Sequence, residues 1–97
     1  MTERRQADAE VQLDDDTVRV TRWRFAPGTE TGWHTHELDY VVVPVTDGAL
    51  VLNERGADSR SFTLAAGASY TRTPGTEHNI VNESDAEVVF VEVEVKR

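Results

Sequence analysis

Three histidines are the residues of this sequence best suited to metal chemistry. His34 and His36 lie two residues apart in the segment GWHTHELDYVVVP, and His78 follows in the segment TPGTEHNIVN. Side chains alternate along a β-strand, so His34 and His36 point to the same face of an extended segment. Imidazole nitrogen is the commonest protein ligand of zinc, iron, copper and nickel. If His78 lies on a neighbouring strand, the three side chains converge and leave coordination positions open for water or substrate.

The same histidines also have an interpretation without a metal. A pair spaced by one residue is compatible with one face of an exposed strand, and imidazoles also serve as ordinary polar side chains inside a small fold. The spacing alone therefore leaves a metal site and a purely structural role open.

Three further side chains are candidates for catalysis or substrate binding. Tyr40 shares the parity of the histidine pair, so it is expected to face the same site as an acid, a base or a hydrogen-bond donor. The alternative is a buried tyrosine whose hydroxyl is satisfied within the fold. Arg72 and Arg22 are candidates for binding a substrate carboxylate, because guanidinium pairs with carboxylates through two hydrogen bonds. Most arginines lie on the surface, which is the alternative for both.

The elements that must position these residues are short β-strands. Alternating or wholly apolar runs are separated by Gly, Pro, Asn and Asp, and no apolar pattern of helical period is present. The pattern predicts roughly eight strands in an all-β sandwich or barrel. A change of apolar parity predicts a bulge near Thr21 and Arg22. The charged residues at the end of the last strand are expected to protect an exposed sheet edge. They are Glu92, Glu94, Lys96 and Arg97.

Composition limits the classes of function. The 97 residues are enough for one domain, and the chain has no cysteine, so disulfides and thiolate metal ligands are excluded. A formal net charge of -8 argues against partners such as nucleic acid and anionic membranes. No apolar run resembles a signal peptide or a membrane span, which predicts a cytoplasmic protein. We expect a polar, flexible N-terminus over residues 1–9 and one domain over residues 10–97.

The glycines around the histidines give the sequence a resemblance to a known family. The spacing of Gly28, His34, His36 and Gly48 resembles the first cupin motif. A second set resembles the second cupin motif: Gly67, Gly75, His78 and Asn82. The resemblance implies a single-domain, RmlC-like cupin, which is an all-β barrel of the jelly-roll or double-stranded β-helix type with a metal near one open end. The segment WRFAPGTETGWHTHELDYVVVPVTDG is similar to the small cupins associated with bacterial β-alanine degradation.

One position departs from the cupin pattern. The family usually carries a metal-binding glutamate seven residues before the last glycine of the first motif, and Val41 stands there in this chain. Glu37 and Asp39 have the opposite parity to the histidine pair, and Tyr40 is the nearest donor. Whether Glu37, Asp39 or Tyr40 replaces the glutamate stays open. The default is a site of three neutral imidazoles without a carboxylate.

These observations lead to two hypotheses of different classes. The first is a metal-binding enzyme that acts on a small carboxylated metabolite, with His34, His36 and His78 as metal ligands, Tyr40 as a catalytic residue and Arg72 as a substrate-binding residue. Iron, zinc, nickel and copper all suit three imidazoles, and the reaction is that of an oxygenase, a lyase or an isomerase. The second is a cupin that binds or senses a small molecule without catalysis. The small size of the chain favours a homodimer.

Overall fold

Two five-stranded β-sheets form the fold of this chain in a computed structural model that describes residues 4–75 and 77–96. The first sheet has the order β1-β4-β9-β6-β7 and the second the order β2-β3-β10-β5-β8. The ten strands are β1 (Arg5–Gln6), β2 (Asp8–Asp14), β3 (Val18–Phe25), β4 (Thr29–Glu30), β5 (Tyr40–Pro44), β6 (Gly48–Glu54), β7 (Arg60–Leu64), β8 (Tyr70–Arg72), β9 (His78–Val81) and β10 (Val88–Val95). The β1–β4 pair is parallel and the other pairs are antiparallel.

The core lies between the two sheets and is built from alternate residues of their strands. In β5 the burial alternates from Tyr40 to Pro44, as expected of a strand with one face toward the core. The largest fully buried apolar side chains come from both sheets: Phe25, Leu50, Val81 and Val88. Burial of one such side chain contributes about 1.5–3 kcal/mol to the free energy of folding. The all-β architecture predicted from the sequence is therefore confirmed.

The strand β10 lies at the centre of its sheet, which corrects one prediction. It pairs with β3 on one side and with β5 on the other. Glu92 and Glu94 therefore do not protect an exposed edge. Glu92 lies opposite both Thr21 and Val42 and is one of the buried polar residues of the fold. Arg97, which was included in the same prediction, lies outside the described residues.

The predicted bulge lies in β2, which is the partner of the strand β3 in which it was expected. The strand β3 pairs with β10 in continuous register from Val18 to Phe25, so it has no irregularity at Thr21 and Arg22. The register shift occurs in β2, between Val11 and Leu13, opposite this part of β3. The change of apolar parity in β3 has another cause. Thr21 and Phe25 face inward, and the valines at the start of the strand face outward toward partly exposed surroundings.

Residues 4–9 of the N-terminal segment contact the body of the fold. The strand β1 pairs with β4, and Ala7 is buried in the core with its N–H donating to the carbonyl of Glu30 at 2.8 Å. Residues 1–3 lie outside the described residues. The predicted flexibility of residues 1–9 stays a prediction, and so does the homodimer. Across residues 4–75 and 77–96, no helix is both long and apolar enough to cross a bilayer.

Asn82 closes the end of the fold that lies away from His78 along β9. Its side chain is fully buried, and its amide donates to the carbonyls of Phe25 at 3.0 Å and Ala86 at 2.9 Å. Its side-chain oxygen accepts from the N–H of Ser84 at 3.0 Å. Asn82 thus orders backbone at the start and end of neighbouring strands and is separated from the histidines by the length of β9.

Candidate metal centre

The three histidines converge at the other end of β9. The Nε2 atom of His34 lies 3.0 Å from Nε2 of His78 and 3.2 Å from Nε2 of His36. One ligand nitrogen from each residue lies within 4.8 Å of the others. All three side chains are half-buried, so they are shielded yet reachable from the cavity that they line. The expectation that His78 lies on a strand adjacent to the histidine pair is confirmed in its geometry.

A backbone bridge fixes two of the three histidines. His34 and His78 exchange both backbone hydrogen bonds, N–H to carbonyl, at 2.9 Å in each direction. This isolated antiparallel pair extends β9 beyond its contact with β4. Because the pairing uses backbone atoms, it holds the two residues side by side, and the orientation of each ring depends on its side-chain contacts.

Polar side chains around Gly32 orient the His34 ring. Its Nδ1 lies 2.8 Å from the carbonyl of Gly32, to which it donates, and this leaves Nε2 with a lone pair directed into the site. Gly32 has a φ of 85°, which favours glycine at this position. The buried Asn79 accepts from the N–H of Gly32 at 2.9 Å and donates to Glu30 at 2.9 Å. The loop that carries His34 is therefore held to β9 by side chains as well as by the bridge.

His36 is held by side chains from β5 and β10. Its ring stacks on Tyr40, with the ring centroids 4.0 Å apart and the planes inclined by 29°. Oε2 of Glu92 lies 3.3 Å from Nε2 of His36, and Oε2 of Glu94 lies 4.0 Å from Nδ1. Two carboxylates of one strand thus flank the two nitrogens of one imidazole.

Burial moves the pKa of four cavity groups toward their neutral forms. Desolvation, followed by the proximity of His34, lowers the pKa of both His36 and His78 from 6.5 to about 4. Desolvation, followed by the charge of Glu92, raises the pKa of Tyr40 to about 12. Desolvation, followed by the charge of Glu94, raises the pKa of Glu92 to about 7, although a hydrogen bond from Trp23 opposes this shift. His36 and His78 are therefore neutral at pH 7, which is the form that binds metals.

A cavity of about 250 Å³ opens beside the histidines. Its lining includes Tyr40 and Arg72, so the structure brings both predicted residues to the histidine site. The guanidinium of Arg72 lies 5.2 Å from the centre of the Tyr70 ring. Arg60 also lines the cavity and is paired with Glu54. Among the residues that the structure describes, no carboxylate forms an ion pair with Arg72.

Other residues considered in the sequence lie elsewhere. Arg22 pairs with Glu10 at 2.9 Å and is not part of the cavity lining. Glu37 is exposed, and neither Asp39 nor Val41 is among the described residues that line the cavity. Of the three candidates to replace the usual cupin glutamate, Tyr40 alone faces the site.

Glu92 is the residue of the site that the sequence did not identify. It lies in the middle of β10, shares the inward parity of Phe90, and lines the cavity beside His36. The candidate ligand atoms that lie together are those of the three histidines, as the default has it, and a buried carboxylate, that of Glu92, lines the cavity beside them. The signal that was available is the parity shared with Phe90, an aromatic residue that is more often inside a fold than outside.

The donor set fits a divalent transition-metal ion. Zinc–nitrogen bonds of about 2.0–2.1 Å at tetrahedral or octahedral angles place ligand nitrogens about 3.0–3.4 Å apart. The two Nε2 separations from His34, 3.0 and 3.2 Å, fall in this range. His34 is held with its Nε2 lone pair inward, and the other two rings are neutral at pH 7. The three histidines could therefore hold an ion without a large rearrangement.

Comparison with known proteins agrees with this architecture and these motifs. A family model described as the cupin domain matches residues 21–94, which include all three histidines and Glu92. The chain belongs to the cupin family. The resemblance found in the sequence motifs is thus confirmed, and so is the all-β cupin fold.

Two similar proteins cover nearly the whole cupin chain. Beta-alanine degradation protein BauB of Pseudomonas aeruginosa (strain PAO1) is 55% identical over 96 residues, which cover 99% of this chain and 100% of that protein. The crystal structure of a cupin domain from Bordetella pertussis Tohama I has 52% identity and a TM-score of 0.95, with 100% of both chains covered. The similarity to cupins associated with β-alanine degradation is confirmed by the first of these.

A more distant structure shows the fold alone. The RmlC-like cupin family protein from Methanocaldococcus jannaschii, described as having a double-stranded β-helix fold, has a TM-score of 0.77 at 12% identity. It covers 95% of this chain, and this chain covers 82% of it.

Proposed function

We propose that this cupin binds one divalent metal ion through His34, His36 and His78 and acts as an enzyme on a small carboxylated metabolite. The observation that carries the proposal is the convergence of the three Nε2 atoms, with separations of 3.0 and 3.2 Å from His34. A bound ion there supplies Lewis-acid chemistry or lowers the pKa of a coordinated water. Iron, zinc, nickel and copper all suit this donor set.

Arg72 supports a carboxylate as the group recognised on the substrate. Its guanidinium lines the cavity without a carboxylate partner among the described residues, whereas Arg60 is neutralised by Glu54. Arg72 is an exposed residue of the cavity lining, and its guanidinium can bind a carboxylate through two hydrogen bonds. The cavity of about 250 Å³ suits a small molecule. The name of the similar P. aeruginosa protein associates that protein with β-alanine degradation, and β-alanine is itself a small carboxylate.

Tyr40 would serve as a hydrogen-bond donor to the bound metabolite. Its pKa is raised to about 12, so its hydroxyl keeps its proton at neutral pH. Its stacking on His36 holds the phenol at the edge of the metal site. A protonated phenol beside a cationic centre stabilises negative charge that develops on a substrate oxygen.

Elemental analysis of the untagged protein tests the metal. The wild type should contain about one equivalent of a divalent transition metal, and a His36→Ala variant should lose it. The Asn53→Ala variant serves as a control, because Asn53 lies on the neighbouring strand β6 and bonds to Ser59. Full metal occupancy in the His36→Ala variant would sink the assignment of the ligands. A wild type purified without metal that also takes none up on dialysis would leave the histidines a structural role.

Binding of β-alanine and of propionate tests the carboxylate site. Each compound should raise the melting temperature of the metal-loaded protein, and Arg72→Gln should weaken that binding at least about tenfold, as expected for loss of a charge-assisted pair. Arg22→Gln is the matched control, since Arg22 pairs with Glu10 and lies outside the cavity lining. Equal weakening by both variants would contradict the role of Arg72. Binding without conversion of any carboxylate tested would favour the non-catalytic alternative.

A further inference from the structure

Glu92 is a buried carboxylate in the cavity that needs a positive partner. The residue is only 7% exposed, so its charged form has lost most of its hydration. Burial of an isolated carboxylate is costly unless a cation or several hydrogen bonds compensate it. The Trp23 side chain donates one hydrogen bond to it. Of the two arginines that line the cavity, Arg60 is engaged by Glu54. Trp23 thus anchors the carboxylate without neutralising it.

The carboxylate lies on the ligand side of His36. Its Oε2 is 3.3 Å from Nε2 of His36, which is the nitrogen that also lies 3.2 Å from Nε2 of His34. Glu94, on the same face of β10, lies instead near Nδ1 at 4.0 Å. The 3.3 Å separation falls within the spacing of about 3.0–3.4 Å that two atoms have when they share one metal ion of this size. Glu92 and not Glu94 therefore lies on the Nε2 side of His36, the side that faces His34.

We propose that Glu92 is a direct carboxylate ligand of the ion held by His34, His36 and His78, an inference that rests on the proposed metal site. The candidate ligand atoms that all lie within 4.8 Å of one another belong to the three histidines alone, so the Glu92 carboxylate is close to His36 and farther from the rest of the group. The glutamate side chain has torsions enough to bring Oε2 closer to the other two nitrogens. Glu92 would supply a negative charge to the ion from β10, whereas the three histidines supply none.

This ligand changes the charge of the centre and the way it is held. Three neutral imidazoles leave a divalent ion with its full charge, and one carboxylate reduces the net charge to about 1+. The ion then joins both sheets, because His78 belongs to the first sheet and Glu92 to the second. Trp23 is the positioning residue for the new ligand. Replacing its indole N–H should loosen the carboxylate without removing it.

The test uses cobalt(II) as the probe and reads both affinity and coordination. Cobalt binding is measured by chelator competition, and the intensity of the visible d–d bands reports the number of ligands. In Glu92→Gln and Glu92→Leu variants, the affinity should fall by about 10- to 100-fold, and the band intensities should change. The leucine variant is included because the amide of the introduced glutamine could itself bind cobalt, whereas leucine has no donor atom. The Trp23→Phe variant should give a smaller loss of affinity, and Glu94→Gln serves as the matched carboxylate control.

The outcomes separate this inference from the metal site on which it rests. A weaker affinity with an altered spectrum in both Glu92 variants, and little change in Glu94→Gln, supports direct ligation. A weaker affinity with a wild-type spectrum overturns it, because the carboxylate would then act from outside the coordination sphere. Wild-type affinity and spectrum also overturn it. If the wild type binds no cobalt, the proposed metal site itself has failed. Circular dichroism and the melting temperature of the metal-free variants verify that each is folded.

Discussion

Two sides of the cavity hold the histidines in different ways. On the bridge side, which comprises His34, His78 and Asn79, reciprocal backbone hydrogen bonds of 2.9 Å hold the two histidine residues side by side. On the carboxylate side, which comprises His36, Tyr40, Glu92 and Glu94, the ring is held by a stack of 4.0 Å and by acidic neighbours. The first side is set by backbone pairing and the second by side-chain chemistry. The cavity thus combines a half held by backbone pairing with a half held by side chains.

The difference predicts how each side responds to substitution. A change of side chain on the bridge side leaves the backbone pairing in place, so only the interactions made by the removed atoms are lost. A change on the carboxylate side alters charge, stacking and hydrogen bonding together.

Removal of a ligand from the bridge side should have the largest effect. We expect His78→Ala to lower metal affinity by roughly 100- to 1000-fold, since structural ions gain several kcal/mol from each ligand. The bridge to His34 should survive, because it uses the backbone of residue 78. Chelator competition measures the affinity, and an unchanged circular dichroism spectrum verifies the fold. Retention of wild-type affinity would show that the three histidines do not share an ion.

Removal of the amide that supports the bridge side should affect stability first. In Asn79→Ala the buried N–H of Gly32 loses its acceptor, which should cost about 1–3 kcal/mol of unfolding free energy. Metal affinity should fall about tenfold, because the loop that orients His34 loosens. Urea denaturation and chelator competition measure the two effects. Asn53→Ala is the control, since Asn53 lies directly opposite on β6 and bonds to Ser59 instead. Equal losses in both variants would remove the special role of Asn79.

The histidines and Glu92 should shift the stability of the metal-free protein in opposite senses as the pH falls. The folded pKa of His36 and His78 is about 4, below the usual 6.5, so the unfolded state binds more protons between these values. Stability should therefore fall as the pH drops from about 6.5 to 4. Glu92 has a pKa of about 7 in the folded state, above the usual 4.5. Its contribution to the stability of the fold therefore rises as the pH falls between these values.

Chemical denaturation measures this balance in the chelator-treated protein. The pH runs from about 7.5 to about 4, a range that spans both transitions. Glu92→Gln should make the loss of stability toward acid steeper, because the opposing contribution of the carboxyl is gone. His36→Gln should make it shallower. A Glu92→Gln profile less steep than that of the wild type would reverse the sign assigned to Glu92.

Loss of the Tyr40 hydroxyl should have the smallest effect on the metal site. Tyr40→Phe keeps the ring that stacks on His36, so metal affinity should change by less than about threefold and stability by about 1 kcal/mol at most. Tyr40→Leu removes the stack and should weaken metal binding more. Chelator competition on both variants measures the difference. A large loss of affinity in Tyr40→Phe would make the hydroxyl part of the metal site instead of a donor to the metabolite.

The bridge side was largely predictable from the sequence. The parity of His34 and His36 and the cupin spacing that includes His78 placed three imidazoles together, and the turn residues marked most strands. The short strands β1 and β4 were missed, since a strand of two residues is too short to show an alternating apolar pattern. The strand β2 was missed although Ala9, Val11 and Leu13 alternate with polar residues in its sequence, DAEVQLD. All seven residues are exposed, so the alternation marks no buried face, and the place of β2 in the sheet comes from pairing with β3.

The carboxylate side was not predictable, for a physical reason that lies in β10. Its sequence, VVFVEVEV, is apolar on both faces over its first half, so the period of two does not select the inward face. Whether a strand is central or at an edge depends on partners far away in the chain. Glu92 was therefore interpreted as a solvated edge residue, although Phe90 marked its face as the inner one.

The central place of β10 has a consequence for the order in which the site is made. All three histidines are synthesised before β10, yet β10 pairs with β3 and β5 and brings Glu92 to them. A nascent chain that has exposed its histidines still lacks the strand that joins both halves of the second sheet. Folds dominated by such distant pairings form slowly. The fold around the histidines is therefore complete only once β10 has paired, and a premature stop before residue 88 would leave the imidazoles without that strand.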